Sequence, residues 1–386
     1  MRRKICVVTG SRAEYGLMKP LIGLLQNDKF IQLQIIATGA HVSSRLGMTS
    51  KEIRADGFKI DEKIDIDVNG DTGIEVAESM GLGLMRFAKS YKRLQPDIVI
   101  GMGDRFEIFS AFAAAFVNRI PLAHLSGGEI TEGAFDDAFR HAMTKMSSLH
   151  FVSNEEYRHR VIQLGEQPSR VFKVGEVGLD RIKGMSLLTK EQLEEDLRFS
   201  FKTRNILVTF HPVTLLKQGE SLKQLEALLG SLATFPNTQL IFTKANADPE
   251  GQSINGMLEK FVAQDRKNRV LFSSLGSLRY LSLMKEVDVI VGNSSSALVE
   301  APSLQKAAVN VGDRQNGRLK ASNVIDCHPV QKAITKAIAR AYTPAFKRLL
   351  KEVHNPYGDG RSAQRIINVL KKVKLEGLLI KKFYDL

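Results

Sequence analysis

The motif GNSSSALVE at residues 292–300 places three consecutive hydroxyls directly after the apolar run 287–291. A short apolar run, a glycine with small hydroxyl residues, then a helical pattern predict a strand, a tight turn and a helix N-terminus. The unpaired N–H groups of such a terminus, with the side chains of Ser294 and Ser295, suit an anion such as a diphosphate. Glu300, a turn or more into the predicted helix, is placed to accept from the two hydroxyls of a ribose. The chemistry is that of a nucleotide ligand.

Four further clusters follow apolar runs. In GSRAEY, residues 10–15, Arg12 beside a helix start suits a phosphate oxygen, although a turn with a solvated arginine would read the same. In GMGDRFE, residues 101–107, Asp104 ends a buried run. Such an Asp is costly unless it caps the next helix, its commoner use, or works in a cleft. The segment from His124 to His141 holds the densest set of acid/base groups: Glu129, Glu132, Asp136, Asp137 and Arg140. Its double glycine, Gly127-Gly128, would let backbone approach a ligand closely. Its acids would also serve as capping charges for the following helix, and spacing alone does not choose between Asp136 and Asp137. His211, after the run ILVTF, would reach a phosphate, or would be a plain turn histidine. Asn246, after QLIFT, and Arg314, in GDRQ, occupy matching positions.

Strand ends must hold these clusters. Strand-like runs at 4–9, 32–38, 97–101, 121–125, 149–153 and 171–174 alternate with helical patterns at 15–26, 74–94, 105–117 and 135–147. A second series at 206–210, 239–243, 269–272, 287–291 and 307–311 alternates with helices such as 221–232 and 277–285. This alternation predicts an α/β protein with parallel, doubly wound sheets. A chain of 386 residues suits two domains of roughly 150–200 residues. We expect a first Rossmann-like domain over residues 1–178 with the acid/base residues, and a second over 179–360 with the nucleotide site. Residues 361–386 would carry a helix, 362–373, that packs back on the first domain. The default ligand site of two facing sheets is the cleft at the carboxyl ends of their strands.

Composition narrows the field. Hydrophobic content of 43% and charged content of 25% are those of a soluble globular protein. No run of eighteen apolar residues is present, so no membrane span or membrane partner is expected. The start MRRKICVVTG is too short in its apolar part for a signal sequence and reads as a first strand, which implies a cytoplasmic protein. Cys6 and Cys327 offer neither a disulfide framework nor metal spacing, and the eight histidines form no HxxxH or HExxH pattern. No metal is expected. The net charge of +13 would fit nucleic acid, an anionic surface or a small acidic substrate. The basic residues are spread along the chain, however, aromatic content is 7% and there is no Trp. Solvated helix faces plus one phosphate site account for the charge, and no nucleic-acid partner is expected.

Taken in order, GSRAEYG, GDRFE, HLSGGE with DDAFRH, MTKMSSLHF, VIQLGE, HPVT, GNSSSALVE and GDRQNGR resemble the hydrolysing UDP-N-acetylglucosamine 2-epimerases, from Arg3 to about Ile367. The resemblance implies a GT-B-like pair of Rossmann domains facing a cleft, with UDP held mainly by the second. It implies Arg12, His211, Asn246, Ser294, Ser295, Glu300 and Arg314 as the nucleotide-binding set. Asp104 and Asp136 match the acid/base carboxylates, with Arg140 beside them; Glu129 and His211 complete the implied catalytic set. The implied reaction turns UDP-N-acetylglucosamine and water into N-acetylmannosamine and UDP through 2-acetamidoglucal, without a cofactor, for sialic-type acid synthesis. A homodimer or homotetramer is the implied assembly. One departure is Ser126, where sialic-pathway members often carry Glu before the double glycine; either Glu129 or Glu132 replaces that carboxylate or the group is dispensable. The segment ITEGAFDD is closer to the branch acting on bacillosamine-type sugars, which keeps UDP-2,4-diacetamido-2,4,6-trideoxyglucose open as substrate. Non-hydrolysing relatives carry Lys five residues after the Arg of the first turn. Leu17 stands there in this chain, which favours hydrolysis. A GT-B glycosyltransferase using the same nucleotide sugar is the rival reading.

Overall fold

Runs rich in Val and Ile, buried on both faces, form the centre of each sheet, as a parallel sheet covered by helices requires. The computed structural model describes residues 2–45, 47–68, 72–130, 136–213, 217, 219–245 and 250–386. The first sheet comprises β1 (Arg3–Thr9), β2 (Ile31–Thr38), β3 (Glu62–Ile64), β4 (Ile98–Met102), β5 (Leu122–Leu125), β6 (Leu149–Val152) and β7 (Val171–Lys173). Its order is β3-β2-β1-β4-β5-β6-β7, every pairing parallel. The second comprises β8 (Arg204–Thr209), β9 (Thr238–Thr243), β10 (Arg269–Phe272), β11 (Val289–Gly292), β12 (Ala307–Val311) and β13 (Val324–Cys327). Its order is β10-β9-β8-β11-β12-β13, again all parallel. The strand order reverses between β1 and β4 and between β8 and β11. Such switch points are where open α/β sheets bind ligands.

The chain divides into two compact units, Met1–Lys183 with Tyr357–Leu386, and Gly184–Pro356. These divisions fall a few residues from the boundaries read in the sequence at 178 and 361, for a local reason. Asp180 accepts from the N–H groups of Ser362 (2.9 Å) and Ala363 (2.7 Å), which ties the segment after β7 to the start of the returning helix. That helix, Ser362–Lys372, buries Ala363, Ile366, Ile367 and Leu370 at helical spacing. They share a core with Tyr15, Met18, Leu21, Ile22 and Leu25 of the helix Arg12–Asn27. Each large apolar side chain so buried contributes about 1.5–3 kcal/mol, which accounts for the return of the chain.

Helix ends follow local chemistry. Thr72 and Glu75 form a reciprocal capping box at the start of Gly73–Leu94, which ends where Gln95 turns left-handed at φ 49°. Two of the edge strands, β3 and β13, three and four residues long, are not among the strands expected from the sequence. The helix expected after Ser294 is only one turn, Ser296–Val299, followed by a 3-10 turn at Ala301–Leu304 containing Pro302. Pro302 carries no N–H for a continuing helix. Glu300 thus caps the end of that single turn rather than lying along a longer helix.

Candidate active site

In the first unit the acid/base residues collect beyond the carboxyl ends of β1, β4 and β5. Arg140, on the helix Asp136–Met146, is the hub, its side chain 7% exposed. Its guanidinium pairs with Asp104, stands 3.7 Å from Glu129 and 3.9 Å from Asp137, and donates to the Ser126 carbonyl at 3.2 Å. A cation this buried persists only with such company. Of the two adjacent aspartates, Asp137 also faces His141 at 3.4 Å. Asp136 instead has its carboxyl raised, first by burial and then by the charge of Asp104, while Arg105 pulls it back.

His124 fixes the backbone before Asp104. Its Nε2 meets the Gly103 carbonyl at 2.8 Å and its Nδ1 the Thr144 hydroxyl at 3.0 Å. Burial pushes the imidazole down to about 3, so it is neutral, with Nε2–H donating to Gly103 and Nδ1 accepting from Thr144. Behind Asp104, Arg105 donates to buried Glu107 at 2.6 Å. Glu14 accepts from the Gly10 N–H at 3.2 Å. Burial, then the charge of Glu107, holds the Glu14 carboxyl well above the usual range. A Cβ on Gly10 would sit 2.6 Å from Glu107 Cγ, which explains that glycine better than a turn does.

The double glycine is crowded by the protein itself. A Cβ on Gly128 would lie 2.5 Å from the Tyr157 carbonyl oxygen, and one on Gly127 would lie 3.0 Å from the Thr144 hydroxyl. The close approach is made by the protein's own backbone and side chains. Ser126 beside it adopts φ 62°, a strained value for a non-glycine residue. Arg12 opens its helix and is well exposed, ion-paired to Glu52 at 3.0 Å.

In the second unit the rim is formed by the ends of β8, β11 and β12. Gly292, at φ 141°, brings β11 against β8 so closely that a Cβ would sit 1.9 Å from the Thr209 carbonyl oxygen. Asn293, fully buried, then staples the rim. Its side chain accepts from the His211 N–H at 2.7 Å and donates to the His211 carbonyl at 2.8 Å. Its own carbonyl accepts from Arg314 at 3.1 Å and from Gln315 at 2.8 Å. His211, Ser294 and Arg314, far apart in sequence, are thus gathered around one asparagine.

A hydroxyl chain underlies the serines. Ser294 lies 3.0 Å from Ser296, whose hydroxyl meets Tyr280 at 2.7 Å; Tyr280 reaches Thr209 at 3.4 Å. Ser295 precedes the single helical turn and half-buried Glu300 follows it. Asn246 and Glu132 lie outside the described residues. Asn293, Tyr280, Gln315, Arg105, Glu107 and Glu14 were not singled out as site residues from sequence. Asn293 and Arg105 sit inside quoted motifs, whereas Tyr280 carries no local signal. Among the described residues no group of three or more His, Cys, Asp or Glu could hold a metal ion, and no helix is long and apolar enough to cross a membrane.

Two parallel, doubly wound sheets with switch points define an α/β protein built from two Rossmann-like domains, of GT-B-like class. The chain matches the UDP-N-acetylglucosamine 2-epimerase family over residues 24–371 and belongs to it. It is 43% identical to the GDP/UDP-N,N'-diacetylbacillosamine 2-epimerase (hydrolyzing) of Campylobacter jejuni, across all of both chains. It is 38% identical to the polysialic acid biosynthesis protein P7 of Escherichia coli, over 100% of this chain and 98% of that one. Among solved structures it is similar to the UDP-GlcNAc 2-epimerase of Neisseria meningitidis bound to UDP-GlcNAc. That likeness has a TM-score of 0.77 at 20% identity and covers 96% of this chain and 100% of that one.

Proposed function

We propose that the protein is a hydrolysing 2-epimerase of a UDP-linked 2-acetamido sugar, releasing UDP and the free 2-epimer. The carrying observation is the buried Arg140 set among Asp104, Glu129 and Asp137, beside an Asp136 whose carboxyl is raised. Such a group is placed to take a proton and to return one.

The proton on carbon 2 of the sugar is not acidic, so a carboxylate acting alone would fail. As UDP departs, positive charge grows at carbon 1 and the neighbouring C–H becomes removable. The demand falls on stabilising the leaving diphosphate, which is electrostatic work. Ser294, Ser295, His211 and Arg314 supply donors and positive charge for it, with Asn246, Glu300 and Arg12 completing the nucleotide set. Asp136 or Asp104 takes the proton, giving a 2-acetamidoglucal. Water then adds at carbon 1 while a proton returns to carbon 2 on the opposite face, so two acid/base groups are needed. Glu129, held near Arg140, stands in for the carboxylate that Ser126 does not provide. No cofactor enters this chemistry.

The substrate we favour is UDP-2,4-diacetamido-2,4,6-trideoxyglucose, supported by the 43% identity to the bacillosamine-type relative over full length. UDP-N-acetylglucosamine, giving N-acetylmannosamine, is the second reading, supported by the 38% identity to a protein named for polysialic acid biosynthesis. Exposed Met85, Phe116 and Val117, on two neighbouring helices, support self-association as a homodimer or homotetramer. Proton NMR of each UDP-sugar with the enzyme in deuterated water tests the proposal. The preferred substrate should be consumed with UDP release and deuterium at carbon 2 of the product. A product retaining UDP, or carrying no deuterium, would overturn it.

A further inference from the structure

A cavity of about 220 Å³ opens in the second unit where β11 and β12 begin, at the end of the sheet opposite Ser294. The four residues of β11 separate the two ends by about 13 Å of strand. Lys306, Lys347, Lys351, Tyr342, Gln305 and Asp288 supply its polar lining. Three ammonium groups face one carboxylate, and that carboxylate already accepts from the Asn205 N–H at 2.7 Å. The nucleotide reading leaves this charge unused.

One of the groups is unsatisfied. The Tyr342 hydroxyl is buried without a hydrogen-bond partner, and Lys306 is half-buried beside it. Burial pushes the Lys306 ammonium down, only partly offset by Glu286 and Asp288. Burial and the charge of Asp288 push the Tyr342 phenol up, so its hydroxyl stays a donor. A buried donor without an acceptor is costly unless a ligand supplies one. A cation would be repelled by the lysines, and an apolar molecule would leave the Tyr342 hydroxyl unpaired. Lysines placed as point charges around a cavity, with no planar arginine fork, suit the spread oxygens of a phosphate.

We infer that this cavity is a second anion site, taking inorganic phosphate or the phosphate of a small phosphomonoester through Lys306, Tyr342, Lys347 and Lys351. The site is independent of the proposed activity. Its test is calorimetric titration of inorganic phosphate into the full-length protein kept saturated with UDP, in a phosphate-free buffer of low salt. Saturable binding of one phosphate per chain is expected, with UDP affinity unchanged. Lys306→Gln should weaken it about tenfold or more and Tyr342→Phe several-fold. Lys347→Gln alters an exposed side chain and should also weaken it, which keeps the test decisive if Lys306→Gln does not fold. Absence of saturable heat, an affinity unmoved by these substitutions, or phosphate binding that disappears as UDP is raised would each overturn the assignment.

Discussion

Arg140 and Asp104 form an ion pair of unequal burial, the guanidinium side chain 7% exposed and the carboxylate 21%. The cation is committed to the interior, where Glu129, Asp137 and the Ser126 carbonyl also hold it. The carboxylate keeps an open side. Asp104 is therefore oriented by Arg140 while still able to meet a substrate.

That geometry makes Asp104→Asn a clean probe. Asn keeps the shape and loses the proton-accepting oxygen, so turnover should fall by about 10²–10⁴-fold. The dissociation constant for UDP, measured by calorimetry, should stay unchanged because the nucleotide set lies in other residues. Unchanged turnover would remove Asp104 from the acid/base assignment. Arg140→Met, by contrast, would strand carboxylates around a lost cation and should cost about 3–5 kcal/mol of stability, read in denaturant unfolding.

Asp136 predicts the acidic limb of the pH profile. As a base it works deprotonated, and burial followed by the charge of Asp104 raises its pKa above the ordinary value. kcat/KM should therefore decline as pH falls through that raised value, at a higher pH than for a solvated aspartate. Arg105 opposes the rise. Removing its charge in Arg105→Gln should shift the limb further toward neutrality, and a limb that stays put would mean that another group titrates there.

Tyr280 tests the hydroxyl chain beneath the serines. Its hydroxyl meets Ser296, which meets Ser294. Tyr280→Phe removes one hydrogen bond and frees Ser296 to rotate. UDP binding should weaken by about 2–10-fold, the range for one neutral bond, with the pH profile unaltered. An affinity equal to wild type would detach Tyr280 from the nucleotide face.

Much of this was legible in the chain because it is local. Val- and Ile-rich runs marked the inner strands, and the clusters after them contained Asp104, Asp136, Arg140, His211, Ser294 and Arg314. What escaped depends on distant partners. β3 and β13 are short edge strands without a continuous apolar run. The Asn293–His211 staple joins residues 82 positions apart, and nothing near Asn293 announces it. Glu14 and Glu107 stand in the first turns of separate helices, and only the folded approach of β1 to β4 buries them together. The left-handed φ of 62° at Ser126 is not legible from its residue type.

One of the C-terminal lysines has a structural task. Lys381 pairs with buried Glu166 at 2.6 Å and donates to the carbonyls of Lys145 and Ser147, both at 2.7 Å. It thereby caps the far end of the helix whose first residue is Asp136. Burial alone would raise Glu166, but bonds from His150, Lys145 and Lys381 outweigh it and bring the carboxyl down to about 2. A carboxyl lowered on folding contributes stability that is complete above its unfolded pKa near 4.5 and disappears as pH falls toward 2. Lys381→Met removes one of the three bonds and two carbonyl caps. It should cost about 1–3 kcal/mol at neutral pH, and acid unfolding should begin at a higher pH than in the parent protein. Because the same helix presents Asp136 and Arg140, turnover should fall more than UDP affinity does. Thermal melts at pH 7 and pH 4, set beside steady-state rates, separate the two effects: equal melting curves for variant and parent would show that the tail does not brace this helix.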